Sequence, residues 1–229
     1  MLRMVSARTA AAPRPAAPHT PTAPDTLTTP KALTTPKPGL RERKKIQTRQ
    51  AIRRAAYRLF DEHGYEATSI DRIAEAAEVS PSTVVRYFPA KEDIVLTDEY
   101  DALLSAGLRA RPADEPVVES IRRVAIEVLR GIAAQDRAGL VQRIRLIHEV
   151  PAIRGRTAEH AARHTTLIST VLAERTGRPA DDLELRVISA AALAALQEAL
   201  LSWVTKDRRT GPEPLIHQAM DVLTRGLTH

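Results

Sequence analysis

Residues 79–95, VSPSTVVRYFPAKEDIV, read as a very short helix held at both ends. Ser80 is an N-cap candidate, and Pro81 suits the first helical position, where a missing amide is no loss. Phe88-Pro89 closes the segment, because the residue before a proline is pushed out of the helical region. Six or seven helical residues are marginal alone in water, so something must hold them. Val79, Val84 and Phe88 are the side chains that can plug into a larger core. Ser82, Thr83, Arg86 and Tyr87 are then left on or near an outer surface that is short, polar and positively tipped.

The residues upstream supply that core. Ile52, Ala55, Ala56, Leu59 and Phe60 recur at spacings of three and four, the mark of a helix with one buried stripe, and its leading turns, RERKKIQTRQAIRR, are basic. Gly64 is placed to end it. Thr68 and Ser69 are N-cap candidates for a second helix, with Asp71 three residues beyond Thr68 as in a capping box. Ile70, Ile73, Ala74 and Ala77 form its buried face, and a turn of about three residues leads to Ser80. A long helix followed by two short ones across a tight turn describes a helix-turn-helix, although three helices of an ordinary bundle fit the pattern equally.

Residues 46–96 closely resemble the DNA-binding domain of the tetracycline-repressor (TetR) family. The resemblance is carried by Ala55-Ala56-x-x-Leu59-Phe60, Gly64-Tyr65, Ala67-Thr68, Ile73-Ala74, Val79-Ser80, Arg86-Tyr87-Phe88 and Lys91-Glu92. It implies backbone contacts near Thr48 and Arg49, and at Thr68 and Ser69, where a helix N-terminus offers free amides to phosphate. It also implies base-edge contacts from Pro81, Ser82 and Val85, and phosphate contacts from Thr83, Tyr87 and Lys91. Three positions depart from the family's habit. Glu78 stands where a turn glycine is common, Ser82 where many members have glycine, and Val85 where many have tyrosine. Valine offers only methyl groups, which suit thymine, and Arg86 becomes the candidate for a bidentate contact to guanine or phosphate.

Charge is distributed to match. Residues 1–58 carry thirteen Lys and Arg against two carboxylates, Asp25 and Glu42, whereas the remainder is mildly acidic, within a formal net charge of +6. Such a basic front suits a polyanion. Arg richness itself carries no weight, since abundant Arg, Ala and Pro also reflect a high-GC genome. Residues 1–39 hold half of the sixteen prolines and two copies of LTTPK, and are expected to be a disordered Pro/Ala/Thr-rich extension. The chain contains no cysteine, which excludes disulfides, thiolate metal sites and cysteine nucleophiles. No secretory signal is recognisable, and the longest apolar run, VISAAALAAL at 187–196, is too short to span a bilayer. A soluble, cytoplasmic protein without membrane contact is expected.

Beyond residue 97 the pattern is helical, punctuated by Pro116, Pro151, Pro179, Pro212 and Pro214, and helices are predicted near 92–110, 115–133, 137–149, 152–176, 181–206 and 213–227. The fold class is therefore all-α, about nine helices in all, with a three-helix DNA-binding domain (40–96) followed by what the resemblance implies is a helical effector-binding and dimerisation domain (97–229). The last two helices, Ala-rich LRVISAAALAALQEALLSWV and the nearly two-faced 213–227, are the dimer candidates, as the resemblance implies for the corresponding pair. The helix that starts at Lys91 links the domains. Every Phe and Tyr lies at or before position 100, so Trp203 is the sole aromatic beyond it, which favours an aliphatic or acyl-CoA-like effector over a flat polyaromatic one. The helix-3 region also resembles an actinobacterial subset that contains a mycofactocin-linked regulator responding to acyl-CoA. His148 and Trp203 are the candidate effector contacts, with a satisfied core histidine as the plainer reading of His148. His160 and His164 have metal-like i,i+4 spacing but no third ligand nearby, so the pair is read as structural or solvated. No G-x-S-x-G, phosphate-cradling glycine loop or H-E-x-x-H occurs, and neither an enzyme nor a cofactor is expected. The expected function is a homodimeric, sequence-specific transcriptional regulator on pseudo-palindromic double-stranded DNA. It is read as a repressor released by a small-molecule effector. An architectural DNA-binding protein without effector, or an activator, are the alternatives.

Overall fold

The first helix, α1 (Leu40–His63), runs through three exposed turns before its first fully buried side chain, Ile52. In the computed structural model, which describes residues 39–96, 99–206 and 210–226, the expected stripe of Ile52, Ala55, Ala56, Leu59 and Phe60 is buried, joined by Tyr57. The expected disorder of 1–39 falls almost wholly outside the described residues. Gly64 ends α1 at φ 83° and ψ 158°, a region open essentially to glycine, rather than in the left-handed helical cap expected. Next come α2 (Ile70–Ala76) and α3 (Pro81–Tyr87), with Ser69 and Ser80 as N-caps. Arg72 is the residue three beyond Ser69, so Asp71 forms no capping box.

The predicted helix 92–110 is two elements, α4 (Glu92–Val95), a single turn, and α5 (Asp101–Arg109). Arg53 of α1 explains the break. Its Nε donates to the Ile94 carbonyl (3.3 Å), which a continuous helix would present to the amide four residues on, and its guanidinium pairs with Glu99. The helices predicted at 115–133 and 137–149 are both present, as the two halves of α6 (Val117–Glu149), which meet at the non-helical Asp136 (φ −152°, ψ 81°). Asp136 Oδ1 accepts from Gly139 N (2.8 Å), so it caps the second half of the helix it interrupts. α7 (Pro151–Thr176), α8 (Leu183–Lys206) and α9 (Glu213–Arg225) follow the predicted spans closely. Nine helical elements are thus found among the described residues, with the predicted 92–110 split in two and the two halves of α6 counted together.

Two main cores organise these helices. The front core joins Ile52, Leu59, Phe60, Ile73, Val84 and Phe88 to Ile94 of α4 and, from the second domain, Ile153 of α7. The rear core packs α5 to α9 through Leu108, Val124, Leu172, Leu185, Ile216 and Met220. There α5 approaches α6 so closely that a Cβ on Gly107 would lie 2.7 Å from Val124 Cγ1. α8 is long and apolar enough to cross a bilayer by length and composition, more than the run at 187–196 suggested. In this fold it packs against α6, α7 and α9.

A polar clamp closes the α5–α6 turn onto α7. Glu115 accepts from Arg111 Nε and Ser120 Oγ, both at 2.7 Å, while Arg175 donates to Ser120 Oγ (2.6 Å) and to the Glu115 carbonyl (2.8 Å). The Arg111 hydrogen bond leads the forces that hold the Glu115 carboxyl well below the usual range, at about 2. A depressed carboxyl stabilises the fold above its unfolded pKa, and that contribution fades as pH falls towards the folded value. Glu115→Gln should therefore unfold about 2 kcal/mol more easily in urea at pH 7, and the gap to the parent protein should narrow between pH 4.5 and 2. A gap that does not change with pH would remove the ion pair from this account.

Candidate nucleic-acid interface and ligand cavity

α3 is organised at its start by hydroxyls. Ser80 Oγ accepts from Thr83 N (3.2 Å) and lies 2.9 Å from both Ser82 Oγ and Thr83 Oγ1, while Pro81 occupies the first helical position. Val84 and Phe88 are sunk in the front core. Pro81, Ser82, Val85 and Arg86 are exposed and Thr83 and Tyr87 half-buried, so the polar face expected from the sequence is present. Val85 is 49% exposed, which is high for an aliphatic side chain on so short a helix. Arg86 lies 5.3 Å from the Tyr87 ring centroid and makes no ion pair with any described residue. Its charge is presented outward.

The flanking residues divide into two groups. Ser69 caps α2 by accepting from Arg72 N (3.3 Å) at the exposed N-terminus, as expected. Arg49 stacks 5.0 Å from the Phe88 ring centroid, beside the C-terminal end of α3, and the exposed Arg41, Arg43, Lys44 and Lys45 continue α1 beyond it. The Thr48 hydroxyl donates back to the Lys44 carbonyl (2.9 Å). Thr68 and Lys91 are placed otherwise than expected. Thr68 is only 1% exposed, and its hydroxyl faces the Gly64 (2.8 Å) and Leu59 (3.2 Å) carbonyls, satisfying groups left open where α1 ends. Lys91 Nζ donates to the carbonyls of Tyr65 (2.8 Å) and Thr68 (3.1 Å) and sits 4.1 Å from the Tyr65 ring centroid. Both side chains lock the α1–α2 loop from within. The signal for this was the same Gly64-Tyr65…Thr68 spacing that suggested a surface role.

Glu78 adopts φ 55°, so the α2–α3 turn keeps a glycine-like backbone although its residue is not glycine. A side chain at positive φ carries a steric cost that glycine would not.

In the second domain a cavity of about 410 Å³ opens among α5, α6, α7 and α8. Its wall is dominated by aliphatic side chains such as Leu104, Val128, Leu129, Ile144, Leu193 and Leu196, with Tyr100 the aromatic contribution. Trp203 is not part of it. Its indole is fully buried, donates from Nε1 to the Thr210 carbonyl (2.7 Å) and lies under Arg137, 5.1 Å from the ring centroid, so it fastens α8 to the segment before α9. His148 does line the cavity, but as an exposed residue and not the satisfied core histidine of the plainer reading. His160 and His164 also line it, stacked edge-to-face with centroids 5.7 Å apart, and His164 Nε2 is 3.1 Å from Asp101 Oδ1. The i,i+4 spacing that revealed this pair could not reveal the cavity, which α5 and α8 complete from elsewhere in the chain. No group of three metal-ligating side chains exists among the described residues.

A second, polar groove of about 820 Å³ separates α1 from the broken part of α6. Tyr57, Arg54 and Arg58 face Gln135, Asp136 and Gln142 across it, and Gln142 Nε2 donates to the Tyr57 carbonyl (2.6 Å). Nothing in the sequence reading pointed to it, because it exists only once α6 bends.

Comparison with known proteins places both halves. Residues 52–97 match the family described as bacterial regulatory proteins, tetR family, and residues 115–228 match the MftR C-terminal domain. The HTH-type transcriptional regulator TcmR of Streptomyces glaucescens is 32% identical over 152 residues, covering 63% of this chain and 67% of that protein. The fatty acid metabolism regulator protein of Bacillus subtilis (strain 168) is 20% identical over 181 residues, covering 76% and 92%. Among solved structures, FadR of Thermus thermophilus, a TetR-family transcriptional repressor in complex with lauroyl-CoA, superposes with a TM-score of 0.51 at 25% identity, covering 79% of this chain and 95% of that one. The fatty acid degradation regulator FadR of Bacillus halodurans gives 0.54 at 24% identity, covering 80% and 97%.

Relieving the left-handed turn should be measurable. The Glu78 side chain is exposed and makes no hydrogen bond or ion pair to a described residue, so Glu78→Gly removes the steric cost of positive φ and adds only the entropy of a freer unfolded chain. The expected result is a gain of about 0.5–1 kcal/mol in unfolding free energy by urea denaturation. A loss of stability would show that the turn carries no strain.

Proposed function

The chain belongs to the TetR family of transcriptional regulators, and on that premise we propose that it is a homodimeric repressor released from a pseudo-palindromic operator by an aliphatic effector. The observation that carries this reading is the aliphatic cavity. Its volume falls within the range of small-molecule sites, about 300–1,000 Å³, and a wall of leucine, isoleucine and valine selects a flexible chain over a flat ring system. A neighbouring structure holding lauroyl-CoA supports the same ligand class.

In this reading Pro81, Ser82, Val85 and Arg86 meet base edges in the major groove. Thr48, Arg49, Ser69, Thr83 and Tyr87 hold phosphates, while Thr68 and Lys91 serve the loop behind them. α8 and α9 make the dimer. Leu183 is 75% and Val187 57% exposed on one side of α8, followed by exposed Ala190 and Ala194, and Val222 is exposed on α9. A second copy would cover this apolar face and set two α3 helices on two half-sites. A cytoplasmic location follows from the task, and regulation rather than catalysis is what the residues support.

Coupling runs through the start of α7. Ile153 is buried in the front core, and Arg156 pairs with Asp93 (3.2 Å) and Glu92 (3.9 Å) of α4, whereas Arg154, Thr157 and His160 line the cavity. Two turns of one helix thus touch both the effector space and the base of the reading head. An effector that binds one arrangement better than the other shifts the population towards it.

Fluorescence anisotropy on DNA from upstream of its own gene, against scrambled DNA at physiological salt, should show a preference of at least a hundredfold. Saturating lauroyl-CoA should abolish it. Equal binding that vanishes with salt would favour an architectural protein, and indifference to lauroyl-CoA would overturn the effector assignment. On the same DNA, Arg86→Ala should lower affinity roughly tenfold or more with an unchanged melting temperature. Unaltered affinity would remove Arg86 from the interface.

A further inference from the structure

Four side chains, Tyr100, Ile132, Leu140 and Arg143, line both the aliphatic cavity and the polar groove and so form the partition between them. Arg143 is the charged member, and it makes no hydrogen bond or ion pair with any described residue, although its Nε is buried. Across the groove the Tyr57 hydroxyl of α1 is likewise buried and without a hydrogen-bond partner. Burial pushes the phenols of Tyr57 and Tyr100 upward, and the positive charge of Arg143 acts on both, which sets the three groups in one neighbourhood. Of the other arginines on the groove, Arg53 is committed to Glu99 and the Ile94 carbonyl, and Arg54 and Arg58 are exposed.

Arg143 is half-buried with its Nε cut off from solvent, and a buried donor without an acceptor is costly. Proteins leave few such groups unpaired, and those they do leave call for an explanation. Here Arg143 borders a cavity suited to an aliphatic chain, and Tyr57 lies beyond the partition, in the groove that Arg143 also lines. Arg154 and His148, also on the cavity wall, are exposed and keep their water. We propose that Arg143 and Tyr57 hold the anionic, oxygen-rich head of the effector while its aliphatic tail fills the cavity, so that α1 of the DNA-binding domain is itself part of the effector site. The head supplies what both donors lack, negatively charged acceptor oxygens, whether of a fatty carboxylate or of the phosphates of a CoA ester. This inference rests on the aliphatic-effector reading above and adds a direct route to α3. The helix that Tyr57 belongs to also places Arg49 and Arg53 over the Phe88 ring.

Calorimetric titration with laurate, lauroyl-CoA and 1-dodecanol, whose hydroxyl carries no charge, tests it. Arg143→Gln should weaken the anionic ligands about tenfold or more and Tyr57→Phe several-fold, with dodecanol unaffected in both. Tyr57→Phe should melt no lower than the parent protein, since it deletes an unpaired hydroxyl, and its complex with DNA should resist release by the anionic ligand. Loss confined to laurate would identify a carboxylate head, and loss confined to lauroyl-CoA the phosphates. Undiminished anionic binding in both variants, or an equal loss for dodecanol, would overturn the proposal. A parent protein that binds none of the three would instead sink the aliphatic-effector reading beneath it.

Discussion

The packing of Phe88 is the constraint on which the DNA-reading end depends. α3 has seven residues, too few to persist alone, and Phe88 closes it from inside the front core. Its ring lies within 5.0 Å of Arg49 and 5.9 Å of Arg53, measured from guanidinium to ring centroid. Arg53 in turn holds the Ile94 carbonyl and Glu99, so the side chain that shelters the recognition helix also stops α4 after one turn. One aromatic ring therefore fixes α3 and, through its arginine neighbour, the linker to the second domain.

A hundredfold fall in operator affinity corresponds to about 2.7 kcal/mol of difference between two conformations. Fully burying one large apolar side chain contributes roughly 1.5–3 kcal/mol. A change that partly unseats Phe88 or Ile153 is thus sufficient in size, and no large domain rotation is required. The chain has the architecture for such economy, since α7 begins in the front core and continues along the cavity.

The parts of this fold that were legible in the sequence are those fixed locally. The stripe from Ile52 to Phe60, the serine caps, Pro81 and the inward valine and phenylalanine of α3 all follow from spacing and from backbone chemistry within a few residues. The missed parts depend on groups distant in sequence. α4 ends because of an arginine forty-one positions earlier. Thr68 and Lys91 were placed at the DNA by their positions in the family's pattern, whereas the carbonyls of Leu59, Gly64, Tyr65 and Thr68 itself needed donors. Trp203 looked like a ligand contact only because it was rare. Its indole instead meets a backbone carbonyl and an arginine, as buried tryptophans usually find partners.

The contrast between Lys91 and Arg143 separates structure from function in this chain. Both are cations set against aromatic or apolar walls at the junction of the two domains. Lys91 meets two carbonyls and an aromatic face, so its charge is satisfied by the fold and its loss would be felt as instability. Arg143 is half-buried, and its buried Nε meets no described acceptor, so the fold leaves that donor unsatisfied. A group retained under those terms is explained by something that arrives from outside. The cavity it borders tells what shape that visitor has, and the charge tells which end of it faces α1.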